Sequence, residues 1–306
     1  MTDSRFLDAG TASALARETA RLDRLTADTG EDVAFLAAAV ESIEEPTDYA
    51  DLPPAVEAAF HRVEARHGAA ALGAVKKRLV LALMAGMGRR IAAKGLPESV
   101  LARYPEVLAV LAAEILDVAD ADYLPGIDAI RDLRLAAVRS LPCGAQLVDE
   151  SYIPEAYLEH EGFAAFVRER LGALSPVYRI HTDTRMLAEF DAPGWRRCYR
   201  RIAELLDRNP RIRGVVGVSW FFDPQLEAIS PHLAYLRHIP LDGGAVLQRE
   251  GPGASHTARA TETSRSRRAA FRRGDYLPTG YAIVWARGDL LRWAALTQRE
   301  AGSPSQ

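Results

Sequence analysis

The sequence predicts an α+β protein in two parts, a helical bundle over residues 1–140 followed by a mixed-sheet α/β domain over residues 141–300. Three observations predict it. Alanine- and leucine-rich segments with apolar residues at helical spacing fill the first part, with no convincing β-alternation among them. The texture changes at Leu141-Pro142-Cys143-Gly144. Beyond that point short alternating or β-branched segments take turns with helical ones, the pattern of helices packed on a mixed sheet.

In the first part, residues 11–29 and 31–45 read as helices, stopped by Pro46 and Pro53-Pro54. A third spans 55–67, and Gly68 separates it from a long apolar helix over 69–94. That helix ends at Gly95-Leu96-Pro97, with glycine at the stop and proline just beyond. Residues 98–120, broken or restarted at Pro105, and 126–140 complete the bundle.

In the second part, 145–149 is a short strand, 154–171 a helix, and 177–185 alternates as a strand does. Residues 194–209 form the clearest helix. Trp195, Cys198, Tyr199, Ile202, Leu205 and Leu206 share one face, and Arg196, Arg197, Arg200 and Arg201 lie largely away from it. The β-branched and aromatic run 212–222 is the best buried strand. Ser230-Pro231 starts a helix to 238 with a capping serine and a first-turn proline. A strand over 245–248, a glycine-rich polar loop over 251–263, a basic helix over 264–273, a strand over 281–285 and a closing helix over 289–297 follow, with a disordered tail expected over 301–306.

Composition narrows the function. Hydrophobic residues make up 48% and charged residues 26% of 306, a globular balance, and the net charge of −3 counts against nucleic acid as a partner. Two cysteines give no disulfide framework and no zinc spacing. Lysine occurs only at Lys76, Lys77 and Lys94, which leaves little scope for Schiff-base chemistry. The N-terminus has no basic-then-apolar signal pattern, and the most apolar run, 79–87, is far shorter than the ~20 residues a spanning helix needs. No membrane is expected, and the cytoplasm follows by elimination.

Four constellations could carry chemistry. On a strand, Arg179, His181, Asp183 and Arg185 line one face, a set suited to anion binding or proton transfer, or else a solvated face with paired charges. Ser219, Phe221 and Asp223 share a face where the strand 212–222 runs out, the place where α/β sheets bind ligands; alternatively Trp220 and Phe222 are core and Asp223 caps a helix. Gly251, Gly253, Ser255, His256 and Thr257, then Arg259, Arg265, Arg267, Arg268, Arg272 and Arg273, could cradle a phosphate or form an ordinary surface loop. Glu64 and His67, an E-x-x-H with His61 nearby and Glu114 and Asp117 on another helix, match part of a di-metal bundle site, or an ordinary exposed face. Cys198 reads as a small core residue, whereas Cys143 sits in a Pro-Cys-Gly turn compatible with exposure.

The stretch from Ser266 through Arg267-Arg268-Ala269-Ala270-Phe271-Arg272-Arg273-Gly274-Asp275-Tyr276-Leu277-Pro278-Thr279-Gly280 to Tyr281 resembles the end of a GNAT-type N-acyltransferase, where a helix leads through glycine and an aromatic into a last strand. The resemblance covers residues 145–297. It implies a small-molecule acyltransferase using acyl-CoA, with a proton removed from an acceptor amine. On that reading His181 or Asp223, with Asp183, would be catalytic. Arg179 and Arg185 would clamp anions, with Ser219, Phe221 and Tyr281 also contacting substrate. The family's Gly-containing pyrophosphate loop is missing after 212–222, where Asp223-Pro224-Gln225-Leu226-Glu227 stands, and the position of its tyrosine general acid falls on Ala270. Two other readings stay open: a non-catalytic interaction protein of the same fold, and a metal-dependent oxidase built on the helical half.

Overall fold

The computed structural model describes residues 7–48, 51–123, 127–153 and 162–302. It divides into two compact units, Met1–Pro142 and Cys143–Gln306. The expected helix starts at 126 and 154, the first five residues and the tail beyond 302 lie outside the described residues.

The first unit is built of helices α1 (Ala9–Ala27), α2 (Val33–Glu41), α3 (Pro54–Ala85), α4 (Met87–Lys94), α5 (Glu98–Leu101), α6 (Tyr104–Asp117) and α7 (Ile127–Ala136), and closes with a short extended stretch, β1 (Ser140–Pro142). Asp8 and Asp32 start α1 and α2 by accepting first-turn N–H groups. Leu15, Leu22, Leu36, Val63, Leu83 and Leu111 are among the side chains that form its buried core. Gly68, at φ 82°, kinks α3 rather than ending it. The expected long helix 69–94 breaks at Gly86 instead. There the Arg90 guanidinium occupies the space a side chain would need and donates to the carbonyls of Leu83 and Ala136. Residues 98–120 split ahead of Pro105, whose fixed φ suits the first turn of α6. Lys77, only 2% exposed, is paired with Asp120 at 2.9 Å, and Arg21 reaches the same carboxylate at 2.8 Å. Burial opposes the charge on Asp120, but these two cations hold its carboxyl below the ordinary range.

The second unit runs β2 (Gln146–Ser151), α8 (Phe163–Leu171), β3 (Val177–Thr182), α9 (Ala192–Arg208), β4 (Gly214–Ser219), α10 (Leu226–Ile229), α11 (Tyr235–Asp242), β5 (Val246–Pro252), α12 (Ala254–Thr261), α13 (Arg265–Arg273), β6 (Thr279–Ala286) and α14 (Arg287–Gly302). Its strands lie in the order β2-β3-β4-β6-β5. The β2–β3, β4–β6 and β5–β6 pairs are antiparallel, and β3–β4 is parallel.

Register and alternation assign the two faces of the sheet. One carries Leu147, Asp149, Arg179, His181, Val216, Val218, Ala282 and Val284. Phe163, Val167 and Leu171 of α8 cover its Val177–Val216–Val284 end. The other face packs on α9: the Tyr199 ring lies 5.0 Å from that of Trp285, and Cys198 Sγ stands 3.4 Å from Gln146 Oε1. Trp285 Nε1 donates to the Gly243 carbonyl, where any side chain at 243 would strike its ring.

Three expected boundaries are corrected. The strand 177–185 stops at Thr182, because the Asp183 carboxylate accepts the Arg185 N–H and folds the chain into a turn. The strand 212–222 stops at Ser219, whose hydroxyl accepts the Phe221 N–H and starts a single 3₁₀ turn over Trp220–Phe222. The loop expected over 251–263 is the end of β5 followed by α12.

Candidate active site

The parallel pair is the place where the sheet opens. Ladder pairing between β3 and β4 is confined to Tyr178↔Val215 and Arg179↔Val216. Ile180–Thr182 and Gly217–Ser219 make no ladder pairs with each other, although β3 stays paired to β2 and β4 to β6 along their lengths. On the α9 side the Ile180 side chain lies over Gly217, where an added Cβ would stand 2.4 Å from Ile180 Cγ1.

On the opposite face, beside the unpaired end of β3, His181 Nε2 lies 3.0 Å from Asp149 Oδ2 on β2. Asp149 is fully buried, and the His181 side chain is 21% exposed. Arg179 stands directly across the ladder from Asp149. A buried carboxylate at ion-pair distance from a partly exposed imidazole is a pairing compatible with proton exchange. Sequence reasoning missed Asp149. Its signal was an acidic residue directly after Leu147-Val148 in the expected strand 145–149, and a charge buried there requires a partner.

The other expected site residues separate. Asp183 and Arg185 leave the strand and pair with each other, with Arg185 Nε to Oδ1 at 3.1 Å and Nη2 to Oδ2 at 2.9 Å. Ser219 and Tyr281 are cross-strand neighbours on the α9 face, away from Arg179 and His181. The Phe221 ring joins an aromatic group with Phe190, Trp195 and Trp220.

Asp223 is 1% exposed, and its two oxygens accept the N–H groups of Gln225 and Thr279, each at 3.0 Å, tying the turn after β4 to the start of β6. Burial raises its carboxyl above the ordinary value, against the lowering by those two hydrogen bonds and by Arg249 and Arg237. A carboxyl whose folded pKa is raised stabilises the fold most below its unfolded pKa and loses that contribution as pH rises through the folded value. Wild-type protein should therefore lose stability relative to Asp223→Asn as pH rises from just below the carboxylate range to neutrality. Urea unfolding of both across that range checks this, and a constant difference would contradict it.

Three of the six arginines of the third constellation have local partners. Arg267 is buried with its guanidinium 4.8 Å from the Trp220 ring centroid, Arg268 donates to the Thr261 carbonyl at 3.2 Å, and Arg273 pairs with Asp275 at 2.7 Å. Among the described residues no three His, Cys, Asp or Glu side chains gather as a metal ion would require, the E-x-x-H segment of Glu64 and His67 included. Cys143, compatible with exposure in sequence, is buried: its N–H donates to the Gln146 carbonyl, and Arg201 Nη1 donates to its own carbonyl at 3.0 Å. No helix among the described residues is long and apolar enough to cross a membrane.

No protein-family model and no curated protein matches the sequence. Among solved structures, the chain is similar to an acyltransferase crystallised with decanoyl-CoA, at 14% identity over 90% of this chain and 77% of that one, with a TM-score of 0.45. It is also similar to an acyltransferase crystallised with CoA and 10C-teicoplanin, at 15% identity over 92% and 96% with a TM-score of 0.47. A mutant acyltransferase in complex with octanoyl-CoA stands at 14% identity, 92% and 96% coverage and a TM-score of 0.47.

Proposed function

We propose that the second unit is a GNAT-type acyltransferase that moves an acyl group from acyl-CoA to a nucleophile on a small molecule. The observation that carries this reading is the parting of β3 from β4 with His181, backed by buried Asp149, at the opening. Main-chain groups along Ile180–Thr182 and Gly217–Ser219 are without ladder partners in each other, which fits an extended ligand arm bearing amide groups, as the CoA arm does. Bound acyl-CoA would supply an activated thioester.

His181 then takes the proton from the acceptor amine or hydroxyl, and Asp149, at ion-pair distance, balances the charge the imidazole gains. Ile180, lying over Gly217, closes the gap on the α9 side, so the acceptor approaches from the His181 side. Asp223, with both oxygens engaged by backbone N–H groups, serves the fold rather than proton transfer.

Native mass spectrometry with acetyl-CoA and octanoyl-CoA, paired with release of free CoA thiol from simple amines, tests the proposal. A one-to-one adduct displaced by CoA, with thiol release, is the expected result. Absence of an adduct with both donors would refute the reading.

A further inference from the structure

The turn that follows β4 carries a basic helix on its outer side. β4 and β5 run in the same direction, since each is antiparallel to β6. Their carboxyl ends therefore lie at one end of the sheet, and β3, parallel to β4, parts from it at that same end. The chain leaves β5 there into α12 and α13. Buried Arg267 fixes α13 to the turn after β4: its guanidinium lies 4.8 Å from the Trp220 ring centroid and donates to Ser230 Oγ at 3.3 Å. Ala270 packs in one cluster with Trp220, Leu226 and Tyr276. At about 100° per residue, the opposite face of α13 carries Arg265, Arg268, Ala269 and Arg272. Arg265 and Arg272 are exposed, and among the described residues they and Arg259 of α12 make no ion pair. Arg268 donates to the carbonyls of Thr261 and Glu262, so its charge has no carboxylate partner. Residues 259–273 hold six arginines against one acidic residue, Glu262, in a chain whose net charge is −3. Two large apolar side chains that the chain exposes, Phe271 at 37% and Leu277 at 49%, belong to α13 and the segment just after it.

We propose that the outer face of α13 docks an acidic carrier protein, which brings the acyl group on a phosphopantetheine arm to the opening between β3 and β4. The inference rests on the acyl-transfer reading of His181. Charge and shape select the occupant. Arg265 to Arg272 spans about 10 Å of helix axis on an outward ridge, so the arginines match an anionic surface better than a single phosphate. Apolar groups set among arginines are the composition of a protein interface, where Arg and Phe are enriched. A bilayer would need the apolar face of α13, and that face is already buried against Trp220 and Tyr276. The carrier's arm ends in the same amide-bearing pantetheine as the CoA arm, so one opening takes both donors, and the carrier adds a protein surface that CoA lacks. In the transfer the thioester carbon–sulfur bond breaks and the carbonyl carbon bonds to the acceptor nitrogen or oxygen. The proton that His181 removes ends on the departing sulfur, and the carrier leaves as a free thiol.

The test is fluorescence anisotropy of a dye-labelled acyl carrier protein in its holo form, titrated with the full chain, alongside thiol release from its octanoyl form with a simple amine. Wild type should bind the holo-carrier, and salt raised to about 1 M, where charges are screened within ~3 Å, should weaken the complex. Arg265→Glu combined with Arg272→Glu should weaken it at least about tenfold at an unchanged unfolding midpoint, because like charges then meet across the interface. Arg265→Lys combined with Arg272→Lys keeps both charges and should keep most of the affinity. No binding by wild type, or binding that charge reversal leaves unchanged, would overturn the docking surface. Anionic vesicles or a DNA duplex bound where the holo-carrier is not would overturn it too, by assigning the arginines to another polyanion. Binding that charge reversal abolishes, with no thiol release from the octanoyl-carrier, would uphold the surface and remove the acyl-transfer reading instead.

Discussion

Replacing His181 by glutamine is expected to lower kcat/KM for acyl transfer by a factor on the order of 10²–10⁴, the usual contribution of a positioned general base. The loss should fall on kcat, because on this proposal the imidazole acts on the proton of the attacking atom. On the proposed mechanism His181 acts on the acceptor and not on the donor, so acyl-CoA affinity should stay within about twofold of wild type. Asp149→Asn should lower kcat in the same direction. It keeps the shape of the buried side chain but removes the charge 3.0 Å from His181 Nε2. Steady-state kinetics with donor affinity measured separately decides the matter. A His181→Gln variant that keeps wild-type turnover would end the assignment of this histidine.

Gly217→Val should do the opposite, damaging donor binding and stability together. Its Cβ would stand 2.4 Å from Ile180 Cγ1 and 2.9 Å from Cδ1, closer than carbon atoms pack, so either Ile180 or β4 must move. Overpacking of this kind costs about 1–3 kcal/mol, and the displaced groups border the part of the sheet where β3 and β4 separate. Thermal unfolding should show the loss, and titration with acyl-CoA should show weakened binding. Ile180→Ala in the same chain removes the colliding atoms, so the double variant should recover stability beyond the sum of the single changes. If Gly217→Val leaves both the unfolding midpoint and acyl-CoA affinity at wild-type values, the gap is not sterically tuned by this pair.

Helices were the most readable part of the sequence, because apolar residues at period 3.6 declare both the element and its buried face. Trp195, Cys198, Tyr199, Ile202 and Leu206 of α9 are all buried. Strand ends were hidden. Asp183 and Ser219 sit in phase with the alternation before them, yet each uses its side chain to hold a backbone N–H two residues on and so turns the chain. That local chemistry dissolved two of the expected site groupings, since alternation beyond those residues no longer places side chains on a common face. His181 and Arg179 do share a face, and this followed from period-two geometry alone. The Asp149–His181 approach did not, because it depends on which strand pairs with which and in what register. Neither is written in one strand's sequence. The parallel pairing of β3 and β4, from which the proposed site follows, is a property of topology of the same kind.

Both cysteines lie in the second unit, and both are buried. The first unit contains none. Thiol-reactive reagents should therefore act as a built-in clock for one half of the molecule. The rate at which Cys198 becomes alkylated reports how often α9 comes away from the sheet. Added acyl-CoA that binds the sheet should slow that clock, giving a readout of ligand engagement that needs no knowledge of the acceptor.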